Sequence, residues 1–169
     1  MLAHAVAHLV TGALLPVGSL DAAGHGWLDE GFAHWLEAEQ AGEVCETFCH
    51  LERVQPPRRC FGGRWRPGVR ELLEAADLPP LAELIGRDAT DLEPRHHALA
   101  FALVDHLLRP TAAPITPGPI EAQRTLPAVV RAAKTGSAPA ETLRAATGLD
   151  VDALDQRLRA WVKEIYPRR

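Results

Sequence analysis

The sequence predicts a mainly α, compact single-domain helical bundle spanning residues 1–169. Three observations carry that reading. Apolar residues recur at spacings of three and four in several separate stretches, the period of an amphipathic helix. No run of β-branched residues alternates with period two, so any strand would be short. Pro16, Gly42, Pro94, Gly136 and Gly148 stand at the edges of the periodic stretches, where helices stop and start. A chain of 169 residues can bury one sizeable core and does not call for two.

Composition narrows the function classes. The formal net charge is -4, with acidic and basic residues interspersed, so no surface is set up to track phosphates and no nucleic-acid partner is expected. No apolar run reaches the roughly 18 to 20 residues needed to span a bilayer. Leu9 to Leu20 is apolar but is broken by Gly12, Pro16 and Gly18 and lacks a basic flank. It does not read as a signal peptide, and no membrane partner is expected. Cys45, Cys49 and Cys60 are an odd set without a CxxC spacing. One disulfide with a spare thiol, or three thiols, are both compatible, so compartment stays open.

In chain order, Met1 to Leu15 reads as a helix ended by Pro16, and Val17 to Gly26 as a Gly-rich reversal containing Asp21 and His25. A second helix is predicted from about Trp27 to Ala41, with Leu28, Phe32, Trp35 and Leu36 as its apolar stripe and Glu30, Ala33, His34 and Glu37 on an adjoining strip. Gly42 closes it. Glu43 to Gly68 loosens into an irregular excursion, with Cys45, Phe48 and Cys49 on a short helical piece. The basic residues Arg58, Arg59, Arg64 and Arg66 around Trp65 suggest either a solvated loop, which is favoured, or a seat for an anionic group.

Val69 to Ala76 and Pro79 to Ile85 are predicted helical. Pro94 opens a strong helix, His96 to Leu108, whose Ala98, Phe101, Ala102, Val104, Leu107 and Leu108 suit burial on most sides. It is the expected central core helix. Pro110 to Pro119 should be extended. Helices follow at Leu126 to Lys134, Ala140 to Thr147 and Val151 to Ile165, separated by Gly136 and Gly148.

The chemistry concentrates in the first two helices. His4 and His8 are four residues apart, so on a helix their imidazoles share one face and can aim at one ion. Glu30, on the second helix, supplies a carboxylate, and two histidines with a glutamate form a known catalytic zinc set. Ala5 stands where the HExxH motif has the glutamate that takes a proton from the attacking water. His34, four residues after Glu30, is read as a histidine that hydrogen-bonds a ligand, the alternative being a fourth protein ligand that closes the site. Asp29 is set aside as a replacement base because its neighbour Glu30 projects roughly 100° away on a helix. His25, His50, His96 and His106 have no spacing argument behind them and read as loop or surface residues.

These residues resemble the gluzincin metallopeptidases, in particular small bacterial peptidase-MA-like domains. His4 to His8 is similar to their HExxH helix, and Gly26-Trp27-Leu28-Asp29-Glu30-Gly31-Phe32-Ala33 to the segment supplying their glutamate ligand. Leu78 to Leu84, the helix His97 to Leu108, and the pair Glu141 to Gly148 and Leu154 to Trp161 resemble downstream elements of the same domains. The resemblance implies a zincin fold, Zn²⁺ held by His4, His8 and Glu30, hydrolysis of peptide bonds through a metal-bound water, and a peptide or protein as ligand. It implies for His97, where relatives often have a tyrosine, a role as oxyanion stabiliser.

The departures are equally specific. Ala5 replaces the base, so activity should be absent or strongly impaired, by roughly 10²- to 10⁴-fold or more. The alternative function is a non-catalytic zinc- or peptide-binding module, and the alanine is equally readable as an engineered knockout or a natural change. Relatives carry a small β-sheet before the metal-binding helix, and these 169 residues leave no room for most or all of it. Either the N-terminus has been cut away or the fold survives without the sheet. Apolar surface on the first helices would then be exposed and would invite a partner chain or a second copy.

Overall fold

The computed structural model describes residues 2–14, 24–42, 60–109 and 125–168. Among them the fold is mainly helical and contains no strand. Among the described residues eight α-helices follow one another: α1 (Leu2–Leu14), α2 (Gly26–Ala41), α3 (Trp65–Glu74), α4 (Leu81–Ile85), α5 (Pro94–Leu108), α6 (Thr125–Lys134), α7 (Pro139–Thr147) and α8 (Val151–Ile165). Short 3₁₀ turns at Cys60–Gly63 and Ala89–Asp91 precede α3 and α5. The expected helical piece around Cys45 and Cys49, the Pro-rich connection and His50 lie outside the described residues.

Local chemistry sets the helix ends. Gly42 takes φ 72° and returns its N–H to the Ala38 carbonyl, ending α2. Gly148 does the same for α7 at φ 73°. Asp150 caps α8 by accepting from the Ala153 N–H at 2.8 Å. At the start of α5 the His96 imidazole turns back so that Nδ1 accepts from the Glu93 N–H at 3.1 Å, while Nε2 lies 2.9 Å from Glu83 on α4.

Helix α5 is the centre of the core, with every residue from His96 to Leu107 buried. It packs against α2, α3, α4, α6 and α8. Phe101, Leu103 and Val104 meet Trp27, Trp65, Val69, Leu158 and Val162 in one apolar cluster. Helix α2 runs between α5 and α1. Its contact with α5 is close at Gly31, where an added Cβ would fall 2.5 Å from the Ala100 carbonyl oxygen, so only glycine admits this approach.

That sandwiching corrects the expected inner face of α2. The buried residues are Gly26, Trp27, Leu28, Gly31, Ala33, His34 and Glu37, while Phe32, Trp35 and Leu36 are half-buried at its edge. A helix covered on two sides buries its polar strip as well as its apolar one. Helix α3 also begins earlier than expected, at Trp65, because Pro67 falls in the first turn, where its missing N–H costs nothing. The expected irregular stretch therefore ends at Arg64.

Three histidines expected on loops or the surface are buried instead: His25, His96 and His106. His25 is held against Thr142 of α7, with Nε2 3.4 Å from the hydroxyl. His106 packs on the Trp161 ring at 4.9 Å between centroids, and burial pushes its pKa down to about 4. Tyr166, after α8, is buried too and donates from its hydroxyl to Asp105 at 2.9 Å.

Helix α1 has its main contact with α2. Its other side carries an exposed apolar stripe, Leu2, Val6, Leu9, Val10 and Leu14, with Leu2 81% and Leu9 73% exposed. No helix among the described residues is long and apolar enough to cross a membrane.

Candidate metal centre

The structure brings His4, His8 and Glu30 together. His4 and His8 stand one turn apart on α1 with ring centroids 4.7 Å apart, at 74° to each other. Both face α2, where Glu30 lies with Oε1 4.0 Å from His8 Nε2. One ligand-type atom from each of the three lies within 4.8 Å of the others.

Two further carboxylates of α2 stand behind the imidazoles. Asp29 Oδ2 is 2.8 Å from His8 Nδ1, and its other oxygen accepts from the Thr11 hydroxyl one turn further along α1. With Nδ1–H donated to Asp29, the Nε2 lone pair of His8 is turned toward Glu30, the tautomer a metal ligand needs. The hydrogen bond that His8 donates to Asp29 raises the His8 pKa; burial opposes it, and the Asp29 and Glu30 charges reinforce it. Glu37 takes a similar position behind His4, with Oε2 3.6 Å from Nδ1. His4 is 3% exposed, and neither of its ring nitrogens makes a hydrogen bond.

The inner side of the site comes from His34 and His97. Both are fully buried. His34 Nε2 lies 3.7 Å from Glu30 Oε2 and 3.1 Å from His97 Nδ1, and His97 Nδ1 lies 3.4 Å from the same Glu30 oxygen. Trp65, at the start of α3, covers His34 with ring centroids 4.4 Å apart. Burial, followed by the proximity of His97, His4 and His8, holds the His34 pKa well below its ordinary value, so it is neutral. Burial works to raise the Glu30 pKa, but His97, His8 and His4 outweigh it and keep the carboxyl ionised.

His97 was expected as an oxyanion stabiliser; the structure sets its Nδ1 against Glu30, beneath the site. His34 was expected beside a ligand, and its Nε2 lies 3.7 Å from the candidate ligand Glu30. Ala5 is exposed on α1. Asp29, set aside as a base, has one oxygen on His8 and the other on Thr11. Its importance as an orienting group was missed, although the same one-residue offset that turns it away from Glu30 directs it to the flank of His8. The role of Glu37 was also missed. The signal was present, since Glu30, His34 and Glu37 follow at spacings of four and three and so share a face.

The anion seat around Trp65 fares differently. Arg66 pairs with Asp105 at 2.9 Å and with Glu39, Arg64 is exposed, and Trp65 is buried against His34. Arg58 and Arg59 lie outside the described residues.

The chain matches no known family model, curated protein or solved structure. The donor set therefore speaks for itself. Two imidazoles and a carboxylate suit a zinc-class divalent ion. The Asp29 carboxylate on His8 is the support such a ligand ordinarily has. The doubly unbonded imidazole of His4 is a buried polar group whose cost a metal bond would remove. The residues fit the ion.

Proposed function

We propose that this chain is a zinc-binding domain of gluzincin type, related in design to metallopeptidases that cleave peptide bonds and impaired in catalysis by Ala5. The observation that carries the proposal is the convergence of His4, His8 and Glu30 from two helices, with Asp29 fixing the His8 tautomer at 2.8 Å. His4, His8 and Glu30 would hold Zn²⁺. Bound there, the ion would supply Lewis acidity toward a water or a peptide carbonyl.

The chain's own residues divide the remaining work. Asp29 orients the His8 imidazole, and Glu37 lies 3.6 Å from that of His4. His34 and His97 position Glu30 from below and keep that side dry, with Trp65 as the cover. What the site lacks is a proton acceptor on α1: Ala5 has none, and both oxygens of Asp29 are engaged. Proton transfer from the attacking water is thus the step without an agent.

That gap favours a second reading, a non-catalytic module that binds a peptide or protein partner through the metal centre. The exposed stripe Leu2, Val6, Leu9 on α1 would suit contact with a partner chain or a second copy.

Restoring the base separates the two. Ala5 is exposed, so Ala5→Glu adds a carboxylate without repacking. On the catalytic reading, zinc-loaded Ala5→Glu protein cleaves a broad peptide library at least 10²-fold faster than the parent, with all activity lost to a chelator. Zinc-loaded variant without cleavage supports the binding module, and failure of either protein to retain zinc contradicts both.

A further inference from the structure

Glu30 turns its two carboxylate oxygens to two different pairs of imidazoles. Oε1 faces His8, the neighbour of His4 on α1. Oε2 faces His34 at 3.7 Å and His97 at 3.4 Å. We propose that the site has a second, inner metal position formed by Glu30 Oε2, His34 Nε2 and His97 Nδ1, so that Glu30 bridges two divalent ions.

The inner triangle is the tighter of the two. Its edges are 3.1 Å between the imidazole nitrogens, 3.4 Å from His97 to the carboxylate and 3.7 Å from His34 to it. Ligand atoms bound at about 2.0–2.1 Å around one tetrahedral ion stand roughly 3.3 Å apart. The outer edge from His8 to Glu30 is 4.0 Å.

Charge points the same way. Among the described residues Glu30 pairs with histidines and with no lysine or arginine. An ionised carboxylate 15% exposed gains from positive charge close by. Burial separates the two positions, since His34 and His97 are fully enclosed while the His8 side chain is 29% exposed. The inner ion would be retained longer and the outer one exchange with solvent. Bridged pairs of ions in other sites stand about 3.5–4 Å apart, a span one carboxylate provides.

Only the outer half of this arrangement rests on the proposed function. The test is a titration of metal-free full chain with Co²⁺, followed by its visible absorption and by metal content after dialysis. Two ions per chain are expected, falling to one in His97→Gln and to one in His8→Ala, with the slowly released ion lost in the His97 variant. A single ion that survives His97→Gln and disappears in His8→Ala overturns the inner position and leaves the proposed function standing. A single ion lost in His97→Gln and kept in His8→Ala supports the inner position and removes the proposed outer one. The stoichiometry of the unsubstituted chain decides between one ion and two without reliance on any variant that fails to fold.

Discussion

Asp29 on α2 holds the imidazole of His8 on α1, with Oδ2 2.8 Å from Nδ1. The pair links the two helices and fixes which nitrogen of His8 looks toward Glu30. Replacing the carboxylate by an amide leaves the volume unchanged and removes the charge. Asp29→Asn is therefore expected to weaken zinc binding about 10- to 100-fold, read by competition with a coloured chelator. Zinc affinity equal to the parent's would mean that the contact orients nothing.

The approach of α2 to α5 at Gly31 predicts a stability effect from a single methyl group. A Cβ there would stand 2.5 Å from the Ala100 carbonyl and 2.9 Å from a Val104 methyl, and backbone cannot yield as a side chain tip can. Gly31→Ala should destabilise the fold by about 1–3 kcal/mol in urea unfolding. It should also lower zinc affinity, since Glu30 and His34 ride on the displaced helix. A variant as stable as the parent would show that the helices are not so closely seated.

Asp105 gathers an unusual number of donors for a fully buried carboxylate: Arg66 at 2.9 Å, Arg109 at 2.7 Å, the Tyr166 hydroxyl at 2.9 Å and the Trp35 indole at 3.2 Å. It ties α5 to α2, α3 and the residue that ends α8. Asp105→Ala strands those donors and should cost about 3–5 kcal/mol in chemical denaturation, with Asp105→Asn costing less. A loss below 1 kcal/mol would mean that solvent replaces the carboxylate with ease.

His106 makes stability depend on pH. In the unfolded chain it titrates near 6.5, whereas burial against Trp161, helped by the charge of Arg157 and opposed by Asp105, brings it to about 4 in the fold. Protons then bind the unfolded state preferentially between those values. Its contribution is present above pH 6.5 and lost as pH falls toward 4, up to about 3 kcal/mol. From pH 7 to 4 the urea midpoint of the parent should fall more steeply than that of His106→Phe. Parallel curves would contradict a buried neutral histidine.

The fold was legible where punctuation is strong. Pro94 marks α5, Gly136 and Gly148 separate the last three helices, and the ends of α8 fall where the apolar period predicts. It was less legible around Arg64 to Gly68, where proline and glycine read as loop although a first helical turn accommodates both. At the site, four-residue spacing brought out His4, His8 and their relation to Glu30. Asp29, Glu37 and the burial of His97 were hidden because they depend on how α2 is rotated between two partners. No single helix encodes that angle; Gly31 and the small residues of α5 set it.

Two imidazoles of α1 and the carboxylate of Glu30 are proposed to hold one divalent ion, and anomalous diffraction at the zinc absorption edge locates such an ion without ambiguity of element. Crystals of zinc-loaded protein should show a peak about 2.0–2.2 Å from a nitrogen of His4, a nitrogen of His8 and an oxygen of Glu30. Zinc-loaded crystals with no peak among these three side chains would show that they hold no ion.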